Sequence, residues 1–193
     1  MGHQFLLLLL LLPFFLASSE PLLINHMIVS RFMLGKGALT TLGRARFKLF
    51  QTICLPTMLA QTARRDFVWV VVADPELDGA LRRDLVKALA ARSNFFFAEY
   101  DETTMARSKS ILMSPLAVSS LDFLFLNSGQ QKALDLFRRR LKEPGSILLN
   151  TGLDTDDGLH RKFVSTLQLS TRELFSQTPK LRWKYTCSSK YIG

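Results

Sequence analysis

One run of seven apolar residues, Phe67–Ala73 (FVWVVVA), constrains the fold of this chain more than any other feature. An apolar side chain at every position leaves the strand no face for solvent, as in the central strand of a parallel sheet. Asp74 and Pro75 follow the run and end it. The rest of the chain is therefore expected to supply helices that cover such a sheet.

Strand and helix patterns alternate around this run. Further strands are predicted at residues 22–32, 94–100 and 146–150, and helices at residues 44–55, 77–91, 130–141 and 159–175. Residues 121–126 fit either a strand or a helix. This order predicts an α/β fold with a mostly parallel sheet and helices on its faces. Ligands of open sheets bind at the carboxyl ends of the strands, where Asp74, Asp101 and an acidic cluster at residues 154–157 are found.

The helix predicted at residues 44–55 has a clear apolar face. Phe47, Phe50 and Cys54 share this face with Met58. Pro56 has no N–H group, so we expect it to kink the helix or to begin a new turn.

The first 19 residues have the pattern of a targeting segment. Residues 5–16, twelve in all, are almost continuously apolar, and small residues follow at 17–19. A helix that crosses a membrane needs about 20 apolar residues. We therefore expect a signal peptide, with a short signal anchor or a buried helix as alternatives. A location in the secretory pathway (Golgi or endoplasmic reticulum lumen) or outside the cell follows, where Cys54 and Cys187 would have the chance to pair.

The composition excludes several classes of protein. Two cysteines provide neither a disulfide framework nor a zinc module, and without a Gly-x-Ser-x-Gly motif a serine hydrolase is disfavoured. The net charge is +9. Because no nucleic-acid motif accompanies the basic clusters at residues 138–140 and 180–184, we expect solvated surfaces there and no nucleic-acid partner. Anionic nucleotide sugars and membrane surfaces would be drawn to the same charge, so membrane proximity is a further expectation.

Three carboxylates lie within four residues, at Asp154, Asp156 and Asp157. Such charges repel one another unless a cation intervenes, and Mg²⁺ or Mn²⁺ does so through hard oxygen ligands while carrying substrate phosphates. An EF-hand is excluded, because residues 159 and 165 are Leu and Ser where that loop needs Gly and Glu. A metal-bound nucleotide sugar fits the Asp-x-Asp pattern best. The competing interpretation is a solvated turn in which Asp156 or Asp157 caps the next helix.

Several segments support the first interpretation when they are taken together. They are Ser30-Arg31-Phe32, Arg46 with Phe47 and Phe50, residues 54–62 (CLPTMLAQT), residues 66–74, and residues 150–164 (NTGLDTDDGLHRKFV). In this order, from about residue 25 to residue 167, they resemble the putative rhamnosyltransferase family of glycosyltransferases. The family has Arg where this chain has Gly152, and commonly Ala where it has Gly158.

The resemblance implies a Rossmann-like, GT-A-type fold. Residues 22–175 would form the nucleotide-sugar-binding domain, and residues 176–193 an irregular C-terminal segment. Because GT-A enzymes build their acceptor half from later sequence, the acceptor half is expected to be incomplete.

The resemblance also implies an activity, that of a metal-dependent glycosyltransferase. It would transfer a sugar, rhamnose by the family's label, from a nucleotide-sugar donor to a glycan or other hydroxyl acceptor. Asp154 and Asp156 would hold Mn²⁺ or Mg²⁺, and Asp154 and Asp157 would bind the donor with it. Asp74 and Arg31 would contact the nucleotide. The alternative is a non-catalytic remnant of the fold that binds nucleotide sugars in the secretory pathway.

Overall fold

A computed structural model of the protein describes residues 22–64, 66–99 and 122–178. The predicted leader at residues 1–19, Asp101 and Cys187 lie outside the described residues. In the described part the strands are β1 (Ile24–Phe32), β2 (Phe67–Ala73), β3 (Phe95–Glu99), β4 (Asp122–Phe123) and β5 (Ile147–Gly152). The helices are α1 (Thr40–Leu49), α2 (Leu55–Leu59), α3 (Gly79–Leu89), α4 (Ser128–Arg140) and α5 (Phe163–Gln177).

The five strands form one sheet in the order β4-β3-β2-β1-β5. The strands β1, β2, β3 and β5 run parallel, and only the two-residue β4 is antiparallel to its neighbour. Every residue of β2 is buried, as its uninterrupted apolar run predicted. The mostly parallel α/β sheet is therefore confirmed.

Helices cover both faces of the sheet. On one face α4 packs its Leu134 and Phe137 against Val68 and Val70 of β2. On the other face Met58 of α2, Leu85 of α3 and Val164 of α5 join a larger cluster around Trp69. The Trp69 ring packs edge-on to Phe95 with centroids 4.8 Å apart, and its indole N–H donates to Ser30 Oγ at 2.9 Å. The one polar group of that buried ring is thereby satisfied.

The helical segment before β2 is interrupted as Pro56 indicated. Between α1 and α2 the chain forms one π-helical stretch, Phe50–Cys54, in which the Leu55 N–H donates to the Phe50 carbonyl. Pro56 then stands in the first turn of α2, where a missing N–H is tolerated. The predicted apolar face is confirmed, since Phe50, Cys54 and Met58 are fully buried.

Several predicted boundaries differ from the structure; α1, for example, begins at Thr40, four residues earlier than predicted. β5 extends to Gly152 instead of ending at residue 150, because the strand stays paired with β1 as far as Val29. α5 begins at Phe163, four residues later than predicted, and ends at Gln177. No helix within the described ranges is long and apolar enough to cross a membrane.

A histidine in the core makes folding sensitive to pH. His26 is fully buried in β1, and its Nε2 lies 2.9 Å from Thr151 Oγ1 of β5. Burial lowers the pKa of His26 from 6.5 to about 3. Below pH 6.5 the imidazole of His26 is therefore protonated in the unfolded chain but stays neutral in the folded protein. The contribution of neutral His26 to the free energy of unfolding is fully present above pH 6.5. It is lost progressively as the pH falls towards 3.

We expect the free energy of unfolding to fall by about 1.4 kcal/mol between about pH 7.5 and pH 5.5 through His26 alone. Urea denaturation at the two pH values measures this difference. His26→Gln is expected to remove most of it, whereas His160→Gln, at an exposed position, is expected to keep it. Equal pH dependence in wild type and His26→Gln would contradict the assignment.

Candidate functional site

Three neighbouring strands bring the predicted site residues to one edge of the sheet. β2, β1 and β5 are adjacent and parallel, so their carboxyl ends meet there. Asp74 follows β2, Arg31 is the next-to-last residue of β1, and the acidic segment at residues 154–157 follows β5. The structure therefore places Asp74, Arg31 and the acidic segment at the same edge.

The acidic segment is anchored through alternate residues. Leu153 and Thr155 are buried, and they bond to β1: the Leu153 N–H donates to the Val29 carbonyl at 3.0 Å, and Thr155 Oγ1 donates to the Arg31 carbonyl at 3.2 Å. Asp154 and Asp156, which alternate with them, are exposed. The two carboxylates thus face solvent from a loop that β1 holds in place.

The interpretation of these carboxylates as helix caps is wrong. α5 begins only at Phe163, and its N-cap residue, Lys162, makes no side-chain capping bond. Neither Asp156 nor Asp157 is near enough in sequence to serve as that N-cap. Across the described ranges, no hydrogen bond or ion pair involves either carboxylate. Both side chains are therefore uncommitted within the described fold.

A guanidinium group lies beside the first carboxylate. Arg31 Nη2 is 3.7 Å from Asp154 Oδ1, and both side chains are 63% exposed. An exposed pair at this distance contributes about 1 kcal/mol at most, so a stronger ligand would displace either partner. At Gly152, where the resembled family has Arg, a Cβ atom would meet nothing within 4 Å. Arg31 thus brings to Asp154 a cation that position 152 does not provide.

Asp74 differs from the acidic segment because its carboxylate is already engaged. Its Oδ2 accepts the Gly35 N–H at 2.7 Å and its Oδ1 accepts the Glu76 N–H at 2.8 Å. A Cβ at Gly37 would lie 2.7 Å from Asp74 Oδ1, so glycine is required for this approach. Asp74 therefore fixes the loop between β1 and α1. A direct contact between Asp74 and a nucleotide stays a prediction.

The residues after the acidic segment dock on α2 through a close backbone contact. A Cβ at Gly158 would lie 3.2 Å from Thr57 Cγ2 and 3.3 Å from Ile53 Cγ2. The Leu159 N–H donates to Thr57 Oγ1 at 3.1 Å. Glycine in place of the family's common alanine thus allows the loop to approach the helix without displacing Thr57.

A buried glutamine completes this docking. Gln61 is 1% exposed; its Nε2 donates to the His160 carbonyl at 3.0 Å, and its Oε1 accepts the Val164 N–H at 3.2 Å. Next to it the Thr62 N–H donates to the Arg161 carbonyl at 2.9 Å. Two neighbouring residues thus satisfy three backbone groups of the segment that leads from the acidic loop into α5.

No role in the site was predicted from the sequence for Thr57, Gln61 or Thr155. The available signal was Gln61, which follows Cys54 and Met58 at helical spacing and so interrupts an apolar face with an amide. A buried amide needs partners, and here the partners are backbone groups of the distant loop. Thr155, the middle residue of Asp-x-Asp, carried no such signal.

A cysteine lies buried near the acidic segment. Burial and the nearby Asp157 and Asp156 carboxylates raise the pKa of Cys54 to about 12. The Cys54 thiol is therefore protonated at neutral pH, and a protonated thiol is a poor nucleophile.

The acidic segment fits one kind of metal site better than another. In the described part of the chain, no three His, Cys, Asp or Glu side chains are grouped to hold a metal. Two exposed carboxylates two residues apart fit a hydrated Mg²⁺ or Mn²⁺ that completes its coordination with substrate phosphates.

A cavity of about 120 Å³ lies elsewhere, at the amino ends of the strands. Its lining includes Asn25, Phe67, Asn94 and Phe137. It is thus at the opposite edge of the sheet from the acidic segment. The strand topology and the uncommitted carboxylates favour the carboxyl edge as the functional site.

Comparison with known proteins supports one family. The family model described as putative rhamnosyl transferase matches residues 42–122. Over these residues the match confirms the resemblance seen in the sequence, and it supports a glycosyltransferase in general terms. It includes Thr57, Gln61 and Asp74, whereas residues 154–157 lie outside it. No curated protein and no solved structure matches the chain.

We expect Asp74→Asn to destabilise the protein by about 1–3 kcal/mol, because the amide nitrogen cannot accept the backbone N–H that one carboxylate oxygen now accepts. Urea denaturation measures the loss. Asp84→Asn, an exposed change on α3, is the matched control, and it is expected to stay within about 0.5 kcal/mol of wild type. Equal stability of the two variants would show that the Asp74 bonds contribute nothing.

Gln61→Met conserves volume and removes both hydrogen bonds to the docked segment. We expect a loss of about 2–3 kcal/mol, together with faster hydrogen exchange at the Val164 amide. Gln51→Met, at an exposed position of the same helical segment, is the control. Unchanged exchange at Val164 in Gln61→Met would contradict the proposed docking.

Proposed function

Because residues 42–122 match the putative rhamnosyl transferase family, we propose that this chain is a metal-dependent glycosyltransferase. Asp154 and Asp156 would hold Mn²⁺ or Mg²⁺, which would contribute to binding the diphosphate of a nucleotide-sugar donor. A hydroxyl group of a glycan or another acceptor then receives the sugar. The single observation that carries the proposal is the anchored loop, which exposes both carboxylates at the carboxyl edge of a parallel sheet.

The loop is suited to this role because hydrogen bonds to β1 and to the segment before β2 fix its backbone. Thr155 anchors its centre to β1, and Gln61 and Thr62 hold the segment that follows. Binding of a metal by these carboxylates would therefore cost little conformational entropy of the loop backbone. Asp157, which is also exposed, adds negative charge next to the metal pair.

Arg31 is proposed to bind the donor directly. Its guanidinium exchanges a weak contact with Asp154 for charge-assisted hydrogen bonds to the diphosphate oxygens. Asp154, freed from this contact, would then be able to hold the metal. The metal, when bound, neutralises the charge that develops on the leaving nucleotide diphosphate.

Asp74 is proposed to act through the loop that it fixes. By holding Gly35 and keeping Gly37 close, it shapes the edge of the site on the side away from β5. The nucleoside part of the donor is proposed to lie against this loop. The apolar segment at residues 5–16 supports a secretory location for the activity.

The experiment is thermal denaturation with a panel of nucleoside diphosphates, each with and without Mn²⁺. At about a hundredfold excess over the dissociation constant, the matching nucleotide is expected to stabilise the protein by about 2.7 kcal/mol and to raise the melting temperature by about 5–10 °C. Asp156→Asn and Asp154→Asn are expected to abolish the Mn²⁺-dependent part.

Asp135→Asn, an exposed carboxylate on α4 at the opposite face of the sheet, is the matched control and is expected to keep the full shift. The same shift in Asp156→Asn as in wild type would overturn the metal site. Release of free sugar from the donor distinguishes a transferase from a protein that only binds nucleotide sugars, since the latter gives the melting shift without sugar release.

A further inference from the structure

Thr155, the middle residue of the Asp-x-Asp pattern, replaces a backbone hydrogen bond of the sheet. β1 and β5 are paired as far as Val29 and Gly152, and the Leu153 N–H donates to the Val29 carbonyl at 3.0 Å. If this parallel ladder continued, the Thr155 N–H would donate to the Arg31 carbonyl. The Thr155 hydroxyl donates to that carbonyl instead, at 3.2 Å. The Arg31 carbonyl thus keeps a partner at the point where the backbone after β5 leaves the sheet.

The side-chain bond allows the chain to turn directly after the strand. The Asp157 N–H donates to the Asp154 carbonyl at 3.1 Å, and Thr155 and Asp156 form the turn between them. Thr155 is 3% exposed, whereas Asp154 and Asp156 are exposed. Because Thr155 is branched at Cβ, rotation about its χ1 angle is restricted. A buried threonine therefore fixes a turn that exposes both carboxylates.

The same hydrogen bond also fixes the residue that carries the guanidinium group. Arg31 pairs with Val72 on the β2 side, and on the β5 side its carbonyl accepts the Thr155 hydroxyl. Its side chain is exposed, and Nη2 lies 3.7 Å from Asp154 Oδ1. One hydroxyl group thus sets the position of the acidic turn relative to the guanidinium.

We propose that Thr155 is a positioning residue that couples the binding of a divalent cation to the binding of a diphosphate. The proposal rests on the proposed function, in which Asp154 and Asp156 would hold the cation and Arg31 the diphosphate. Since Arg31 and Asp154 are each other's partner in the ligand-free protein, a ligand on either one frees the other. Each ligand then strengthens the binding of the other by the same factor. This exchange requires the short, fixed separation that the Thr155 hydroxyl maintains.

The test is calorimetric titration of the full chain with the diphosphates of adenosine, guanosine, cytidine, uridine and thymidine, each with and without Mn²⁺. In the wild type we expect Mn²⁺ to strengthen the binding of the matching nucleotide by at least about tenfold. Thr155→Val keeps the shape and removes the donor, and the factor is expected to fall below about threefold. Thr155→Ser keeps the hydroxyl and is expected to retain most of the coupling.

Hydrogen exchange at the Asp157 amide reports on the turn without any ligand. We expect it to be about fivefold faster in Thr155→Val, because the loss of one hydrogen bond corresponds to about that factor. Thr155→Ser is expected to keep the exchange rate of the wild type.

The matched control is Thr171→Val, the same change at another buried threonine, whose hydroxyl donates to the Leu167 carbonyl within α5 at 2.8 Å. It is expected to keep both the coupling factor and the Asp157 exchange rate. A wild type whose nucleotide binding ignores Mn²⁺ would refute the proposed function and, with it, this role. Coupling in the wild type that Thr155→Val retains would refute the positioning role alone. Equal loss of affinity with and without Mn²⁺ in Thr155→Val would do the same, since it would indicate a merely structural role.

Discussion

The position of β1 between β2 and β5 is the constraint on which the site depends. Eight of its nine residues are buried, and the exception is Arg31, near the carboxyl end. Parallel pairing on both sides sets the register, so that Phe32 lies opposite Ala73 and Val29 opposite Gly152. The ends of three strands therefore meet, and the only exposed side chain of β1 points out where the acidic segment begins. A shift of β1 by one residue would exchange its two faces and bury the guanidinium.

The second constraint is a set of polar contacts between segments about 100 residues apart in sequence. Hydrogen bonds join backbone groups of residues 159–164 to Thr57, Gln61 and Thr62. That segment is neither strand nor helix before α5, so its backbone groups need partners from elsewhere. The helical stretch before β2 supplies them. The segment that matches the family model thus supports the acidic loop that the match does not include.

The sequence predicted most of the sheet and the helix faces because apolar patterns are local. Phe67–Ala73 and the face of Phe50, Cys54 and Met58 are examples. The sequence predicted the structure incorrectly where contacts with residues distant in the chain determine the end of a strand or the start of a helix. β5 continues to Gly152 because β1 offers hydrogen bonds as far as that residue. α5 starts late because Thr57 and Gln61 bind backbone groups between Leu159 and Val164, which would otherwise be available to a longer helix. Asp74 was placed at the correct edge, but its engagement by Gly35, 39 residues away, has no local sequence signal.

The acidic loop stands out against the charge of its surroundings. The chain carries a net charge of +9, and no carboxylate precedes Asp66 in the described residues. Three carboxylates in four residues concentrate negative charge that Arg31 only partly offsets, while the basic surface around them attracts anions. In the proposed function, a divalent cation would be held by the acidic loop and the phosphates of the donor by Arg31, so that each charge would meet its opposite. The replacement of arginine by Gly152 is tolerable in this arrangement because the guanidinium comes from the neighbouring strand instead.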